Sequence, residues 1–246
     1  MTIDWQPLEA EIELWHTAKL TLPFWWRDDD AIEPTPALDR MMEIASDADI
    51  PVHLAIIPKY ATTALRNYSA QTPHIIPVVH GWSHENHAPR GQKKAEFGAS
   101  RPMEDAIQDL IMGADRMYDL FGTNLKSMFV PPWNRINPDL IPHLEPMGYD
   151  TLSTYLPRTY QNAANNIEQI NTHIDPISWK NTRSLIQSDT LIENITSLLR
   201  DRRLGKADNT EPLGFLTHHL VHDDAIWQFT KEFITIMRKA PIVAFR

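Results

Sequence analysis

Residues 20–57 read LTLPFWWRDDDAIEPTPALDRMMEIASDADIPVHLAII. A run rich in β-formers, Leu22–Arg27, comes first, a helical pattern over Thr35–Asp47 follows, and a second run, Val52–Ile57, closes the unit. Strand, helix and strand in that order describe a parallel crossover. The same alternation continues outward. Further strands are expected at Ile75–His80, Ser127–Val130, Thr151–Tyr155, Thr172–Ile177, Gly214–Thr217 and Ile242–Phe245. Helices are expected at Ala61–Ser69, Pro102–Phe121, Pro138–Met147, Thr190–Arg202 and Asp224–Arg238. Pro102 and Pro138 stand where a first helical turn accepts proline. About seven β–α repeats with no break in composition predict one α/β domain over residues 1–246, a single parallel barrel.

Composition narrows the function. The chain has 246 residues, a formal charge of -9, 42% hydrophobic residues and no cysteine. That apolar content is enough for a sizeable core and excludes wholesale disorder. The acidic balance argues against a nucleic-acid partner, which needs a basic face. Without cysteine there are no disulfides, thiol nucleophiles or cysteine-ligated zinc. No uninterrupted apolar run exceeds four residues, so no membrane partner is expected. The start, MTIDWQPLEAEIELW, lacks the basic and apolar parts of a secretory signal, and a cytoplasmic location is the expectation. No two glycines stand two apart, no G-K-[ST] occurs, and no serine is flanked as in G-x-S-x-G. Dinucleotide fingerprints, phosphate loops and the serine elbow are thereby absent.

Histidine is concentrated: six of the 11 fall in His80–His87 and His218–His222. In VVHGWSHENH, His80 ends an apolar run and His84 lies four residues on. A helical turn starting at His80 would put both imidazoles on one face, able to share a metal, with His87 in reserve. Gly81 stands where H-E-x-x-H has its glutamate, so a general base must come from elsewhere. Asp28–Asp30, after FWWR, is one source. Three adjacent carboxylates raise one another's pKa unless a cation relieves them, and a divalent metal would. The other reading of the same run is a loop and helix cap before Thr35. In MFVPPWNR two prolines remove two N–H donors, so that of Trp133 is the next available to a ligand. His218 and His219 leave a strand end, where an imidazole could donate a proton. The polar stretches His87–Arg101 and Pro157–Asn171 are either variable surface or walls of a substrate groove. Arg200–Lys206 reads as a solvated helix end.

Taken in order along the chain, these motifs resemble the polysaccharide deacetylase (NodB-like) carbohydrate esterases. The likeness runs from Phe24 to His222: an Asp-Asp pair, H-x-x-x-H, a proline-containing turn and L-x-H, each following a strand. It implies a distorted parallel (β/α) barrel and a metal-dependent hydrolase that removes acetyl groups from an N-acetylated sugar or related acylamide through metal-activated water. By the same resemblance Asp28 is the general base, and Asp29, His80 and His84 bind Zn²⁺ or another divalent transition metal. Trp133 offers a backbone N–H to the oxyanion, and His218 is the general acid. Three features depart from the family. Val130 replaces the arginine that orients the base, with Arg27 or Arg135 as substitutes, although alternation turns Arg27 to the other face of the strand from Asp28. Asp30 replaces a glycine, and the signal that usually exports members acting on cell-wall polymers is not seen. Asp175 is the carboxylate suggested for orienting the acid. Two alternatives remain, a catalytically silent carbohydrate-binding barrel and a same-fold hydrolase of a non-sugar amide.

Overall fold

The computed structural model describes residues 3–246. Its strands are β1 (Leu22–Ala31), β2 (Val52–Ile56), β3 (Ile75–His80), β4 (Met128–Val130), β5 (Thr151–Leu152), β6 (Asn162–Ala164), β7 (Ile167–Gln169), β8 (Leu213–Thr217) and β9 (Ile242–Ala244). They line up as β6-β7-β5-β4-β3-β2-β1-β8, with β9 also on β1. Every pairing is parallel except that of β6 with β7. The helices are α1 (Gln6–Ala18), α2 (Pro36–Ala48), α3 (Thr63–Gln71), α4 (Met103–Phe121), α5 (Ser188–Arg203) and α6 (Asp224–Met237). The sheet curls into the distorted barrel that the alternation predicts. Among the described residues no helix is long and apolar enough to cross a membrane.

Alternation along β1 divides the interior into two layers. Phe24 and Trp26 join the larger apolar cluster, which includes Phe215 and Phe233 beneath the helices. Trp25 points the other way, into a smaller cluster with Ala55, Val78, Met128, Val130 and Ile170. Each buried indole removes about 150–250 Å² from water, worth roughly 4–6 kcal/mol before ordering costs. Gly214 lets the wall close beside this inner layer. A Cβ there would lie 2.5 Å from Trp25 Nε1 and 2.6 Å from the Asn171 carbonyl.

Three segments differ from expectation. Thr172–Ile177 forms no regular strand, only single bridges of Thr172 to Tyr155, Ile174 to Phe215 and Ile177 to Leu185. Side chains take over its ladder: His173 Nδ1 accepts the Gly214 N–H, and the Asp175 carboxylate accepts that of Ile177. Pro138–Met147 is two short 3-10 turns rather than a helix, because Pro142 interrupts it without an N–H to donate. The polar stretch Pro157–Asn171 contains the β6–β7 hairpin, turned at Asn166 with φ 59°. Helix α1, which the sequence reading passed over, buries Leu8, Ile12 and Trp15.

The end of β1 is irregular in a way that decides the site. Asp28 pairs with Leu54 of β2 and Ala31 with Ile56, three steps against two. The extra residue is a bulge, and Asp30 absorbs it at φ 79°, a left-handed conformation uncommon outside glycine and asparagine.

Candidate active and metal site

The bulge sends the three aspartates in different directions. Asp28 keeps the outward phase of Phe24 and Trp26 and is fully buried. It accepts hydrogen bonds from Thr217 Oγ1 at 2.6 Å and the His219 N–H at 2.9 Å, and its other oxygen pairs with His219 Nδ1. Trp26 Nε1 donates to Thr217 Oγ1 at 2.8 Å, closing the network. Burial pushes the Asp28 carboxyl up, but the charge and hydrogen bond of His219 outweigh it and hold the carboxyl below its usual range. The same pairing holds His219 above its ordinary value against the opposite pull of burial. Asp28, expected as the general base, is a sealed partner of His219.

Asp29 faces inward, the same way as Arg27. The guanidinium grips it bidentately, Nε to Oδ1 at 2.8 Å and Nη2 to Oδ2 at 2.9 Å. Arg27 is itself fully buried and held by Ser153 Oγ and Asn134 Oδ1, each at 2.7 Å. His218 Nε2 lies 4.0 Å from Asp29 Oδ2.

Asp30, not Asp29, converges with the two histidines. Its Oδ1 is 3.2 Å from His80 Nε2 and 3.2 Å from His84 Nε2. One ligand atom from each of the three residues lies within 4.8 Å of the others. The donor set suits a divalent cation: two imidazole nitrogens and one carboxylate oxygen. His80 Nδ1 is 3.0 Å from the Val130 carbonyl, which fixes the proton on Nδ1 and leaves the Nε2 lone pair for a metal. Burial pushes Asp30 up, yet its hydrogen bond to His80 and the charges of His80, His218 and His84 hold it far below the usual carboxylate range. Asp30 was expected at a glycine position, with the ligand role only if the register of the run is shifted by one. The additional residue in β1 supplies such a shift and turns all three carboxylates.

His80 and His84 meet, with ring centroids 5.2 Å apart, but no helical turn joins them. Gly81 and His84 are left-handed, at φ 58° each. The turn is organised by Glu96, which is completely buried. Its carboxylate accepts the N–H groups of Ser83 at 2.7 Å, His84 at 3.2 Å and Trp82 at 3.4 Å. Burial nevertheless raises the Glu96 carboxyl, since these bonds only partly offset desolvation. Gly81 is required here: a Cβ would lie 2.3 Å from Glu96 Oε2 and 2.6 Å from Pro132. His87 is exposed and outside the cluster.

The turn after β4 places Trp133 and Asn134 in left-handed conformations, at φ 56° and 57°. The Trp133 ring packs 4.3 Å from that of His84. On the opposite rim, Trp179 stands edge-on to His218 at 4.7 Å. Asp175 accepts from Trp179 Nε1 at 2.8 Å, so it bears on His218 through that indole. Burial raises the Asp175 carboxyl, and the charge of His218 works against that rise. His222 packs on Trp227 at 4.6 Å, and burial lowers its pKa to about 4. Sequence reasoning missed Glu96, Ser153, Asn134 and Trp179. Only Glu96 carried a signal, as the sole carboxylate of a basic stretch.

No protein-family profile and no curated protein sequence matches the chain. Solved structures do. A family 4 carbohydrate esterase from Streptomyces lividans, in complex with acetate, superposes with a TM-score of 0.58 over 92% of each chain at 10% identity. The fold is that of the family 4 carbohydrate esterases. A mutant of a peptidoglycan deacetylase from Bacillus subtilis matches with a TM-score of 0.52 at 13% identity, covering 91% of this chain and 87% of that one. A family 4 pseudoenzyme from Bacillus anthracis matches with a TM-score of 0.58 at 11% identity, covering 90% and 63%. The family 4 fold therefore houses both active and silent members, and the site's own chemistry has to decide between them.

Proposed function

We propose that the chain is a metal-dependent hydrolase that removes the acetyl group from an N-acetylated sugar or a related acylamide. The observation that carries this reading is Asp29, gripped by a buried arginine, beside the Asp30–His80–His84 cluster and 4.0 Å from His218. A carboxylate–imidazole pair on one side of a metal-competent cluster is what amide hydrolysis requires: a base for the attacking water and an acid for the departing nitrogen.

Asp30, His80 and His84 would hold the ion, for which Zn²⁺ is our first choice. When bound, it supplies Lewis acidity, which makes water a nucleophile at neutral pH and polarises a carbonyl. Asp29 takes the proton of the attacking water while Arg27 holds its carboxylate in place through two hydrogen bonds. The water oxygen adds to the amide carbon, and the Trp133 backbone N–H is assigned to the oxyanion that forms. His218 delivers a proton to the nitrogen, the C–N bond breaks, and acetate and the free amine leave. Arg27 thus does from β1 what the family does with the arginine that Val130 replaces. The Asp pair of the motif is Asp29–Asp30, and Ala31 takes the family's glycine position.

The likeness to a pseudoenzyme favours a second reading, a silent sugar-binding barrel. Against it stand the Arg27 grip on Asp29 and the approach of His218, neither of which a binder needs. The test is metal analysis of the purified protein followed by an acetate-release screen over N-acetylated sugars, oligosaccharides and simple amides. Stoichiometric metal with acetate release supports the hydrolase. Stoichiometric metal with sugar binding and no release from any substrate supports the silent barrel.

A further inference from the structure

On the outer side of Trp133 lies a cavity of about 450 Å³. Its polar lining comes from two segments: His87, Gln92, Lys93 and Ser100 follow β3, and Arg135 and Asn137 follow β4. None of its lining residues is a carboxylate, in a chain whose formal charge is -9. Residues 87–101 carry four Lys and Arg against a single carboxylate, Glu96. Glu96 cannot neutralise the cavity, because it is turned inward onto the N–H groups of Trp82, Ser83 and His84. Among the described residues, the one ion pair made by this segment is Arg101 with Asp109, at 2.5 Å. Glu85, the nearest acid in sequence, pairs with Lys59 at 2.9 Å.

The cavity is also preformed. Arg135 Nη1 donates to the Lys94 carbonyl at 2.7 Å, which positions the guanidinium. The Asn137 N–H donates to the Phe97 carbonyl at 2.7 Å, and Phe97 bridges Ile136. Phe97 and Ala95 are buried beneath. Its distance from the chemistry is short: Arg135 lies two residues past Trp133, whose ring packs at a tilt against that of His84, and Lys94 Nζ is 5.9 Å from the Trp133 ring.

We infer that this cavity binds an anionic oxygen group, a phosphate or a carboxylate, carried by the acylamide substrate. A fixed guanidinium next to a lysine, with amide and hydroxyl donors and no competing acid, is the donor set that oxyanions select. The inference takes the acylamide reading as its starting point, and it names the substrate class within that reading: acylated compounds bearing negative charge one Trp133 ring's width from the acyl group.

The direct test is calorimetric titration of the purified protein with inorganic phosphate. Saturable, salt-sensitive binding is expected, with Arg135→Gln or Lys93→Gln weakening it about tenfold or more. Lys206→Gln, remote from the cavity, serves as the control and binds as the unsubstituted chain does. Equal affinity in Arg135→Gln and the unsubstituted protein would overturn the inference. So would loss of phosphate binding on removal of metal by dialysis, which would put the phosphate on the Asp30–His80–His84 cluster. Acetate release from a neutral N-acetylated hexosamine, its phosphate ester and an N-acetylated sugar acid then identifies the source of the charge. A lower KM for one or both charged substrates supports the cavity and says which anion it takes. Preference for the neutral sugar contradicts it. Phosphate binding that depends on Arg135, with no acetate released from any substrate, keeps the cavity and refutes the hydrolase.

Discussion

Two neighbouring residues of β1 each face a histidine from the residues after β8, and the two pairs have opposite characters. Asp28 and His219 lie on the helix side, both fully enclosed, with the Thr217 hydroxyl and the His219 N–H also donating to the carboxylate and Trp26 donating to Thr217. Asp29 and His218 lie on the barrel side, 4.0 Å apart, with His218 partly exposed. The pairs differ by one residue on each strand, and parallel pairing of Asp28 with Thr217 keeps them in step. Identical side chains therefore do different things according to face. Enclosure with direct pairing makes a structural lock, while a partly exposed imidazole that is not hydrogen-bonded to its carboxylate stays free to act on a bound molecule.

Breaking each pair should separate these roles. His218→Ala removes the proposed acid and should cut acetate release by about 10²–10⁴-fold with the unfolding midpoint unchanged. His219→Ala leaves Asp28 as a buried charge without its partner and should cost about 3–5 kcal/mol of stability, read by urea titration. Similar stability losses in both variants would erase the distinction. A smaller effect is expected from Arg27→Lys, which keeps the charge but loses the fork on Asp29. It should lower kcat about tenfold and leave KM and metal content as they were, and an unchanged kcat would remove Arg27 from its positioning role.

The last effect concerns stability alone, at a histidine with no part in the chemistry. His53 is fully buried at the edge of the inner layer, edge-on to Trp25 and stacked on Phe245. Burial lowers its pKa to about 3 from the ordinary 6.5. Between those values the unfolded chain binds a proton that the folded chain refuses. Stability should therefore fall as pH drops from about 6.5 towards 3, by about 1.4 kcal/mol per pH unit from this group. His53→Leu should flatten that part of the pH–stability curve relative to the unsubstituted protein. A parallel curve in the variant would show that His53 is not the source.

The barrel was legible because strands and helices in this chain carry contrasting periods, and Ile75–His80 was read with its observed limits. Leu213–Thr217 was recognised nearly whole, which placed His218 and His219 at a strand end. The convergence of His80 and His84 was also legible, but not its cause: Glu96 acts across thirteen residues of chain, and its standing as the one carboxylate of a basic stretch does not say which N–H groups it accepts. The directions taken by Asp28–Asp30 were not legible for a different reason. A bulge adds one residue without changing composition, and three consecutive aspartates look alike in any phase. The inward direction of Arg27 was visible from alternation alone. Its use became visible only once Asp29, on the same face, replaced Asp28 as the residue it holds.

The central claim is the division of labour among Asp28, Asp29 and Asp30. It is tested most directly by measuring metal content, acetate release and unfolding midpoint in Asp28→Asn, Asp29→Asn and Asp30→Asn. Asp30→Asn should lose metal. Asp29→Asn should keep metal while losing about 10²–10⁴-fold in rate, with a lowered unfolding midpoint because buried Arg27 loses its counter-charge. Asp28→Asn should keep metal and, below its lowered midpoint, turnover. An Asp28→Asn protein that retains metal and full stability but has lost turnover would contradict the account.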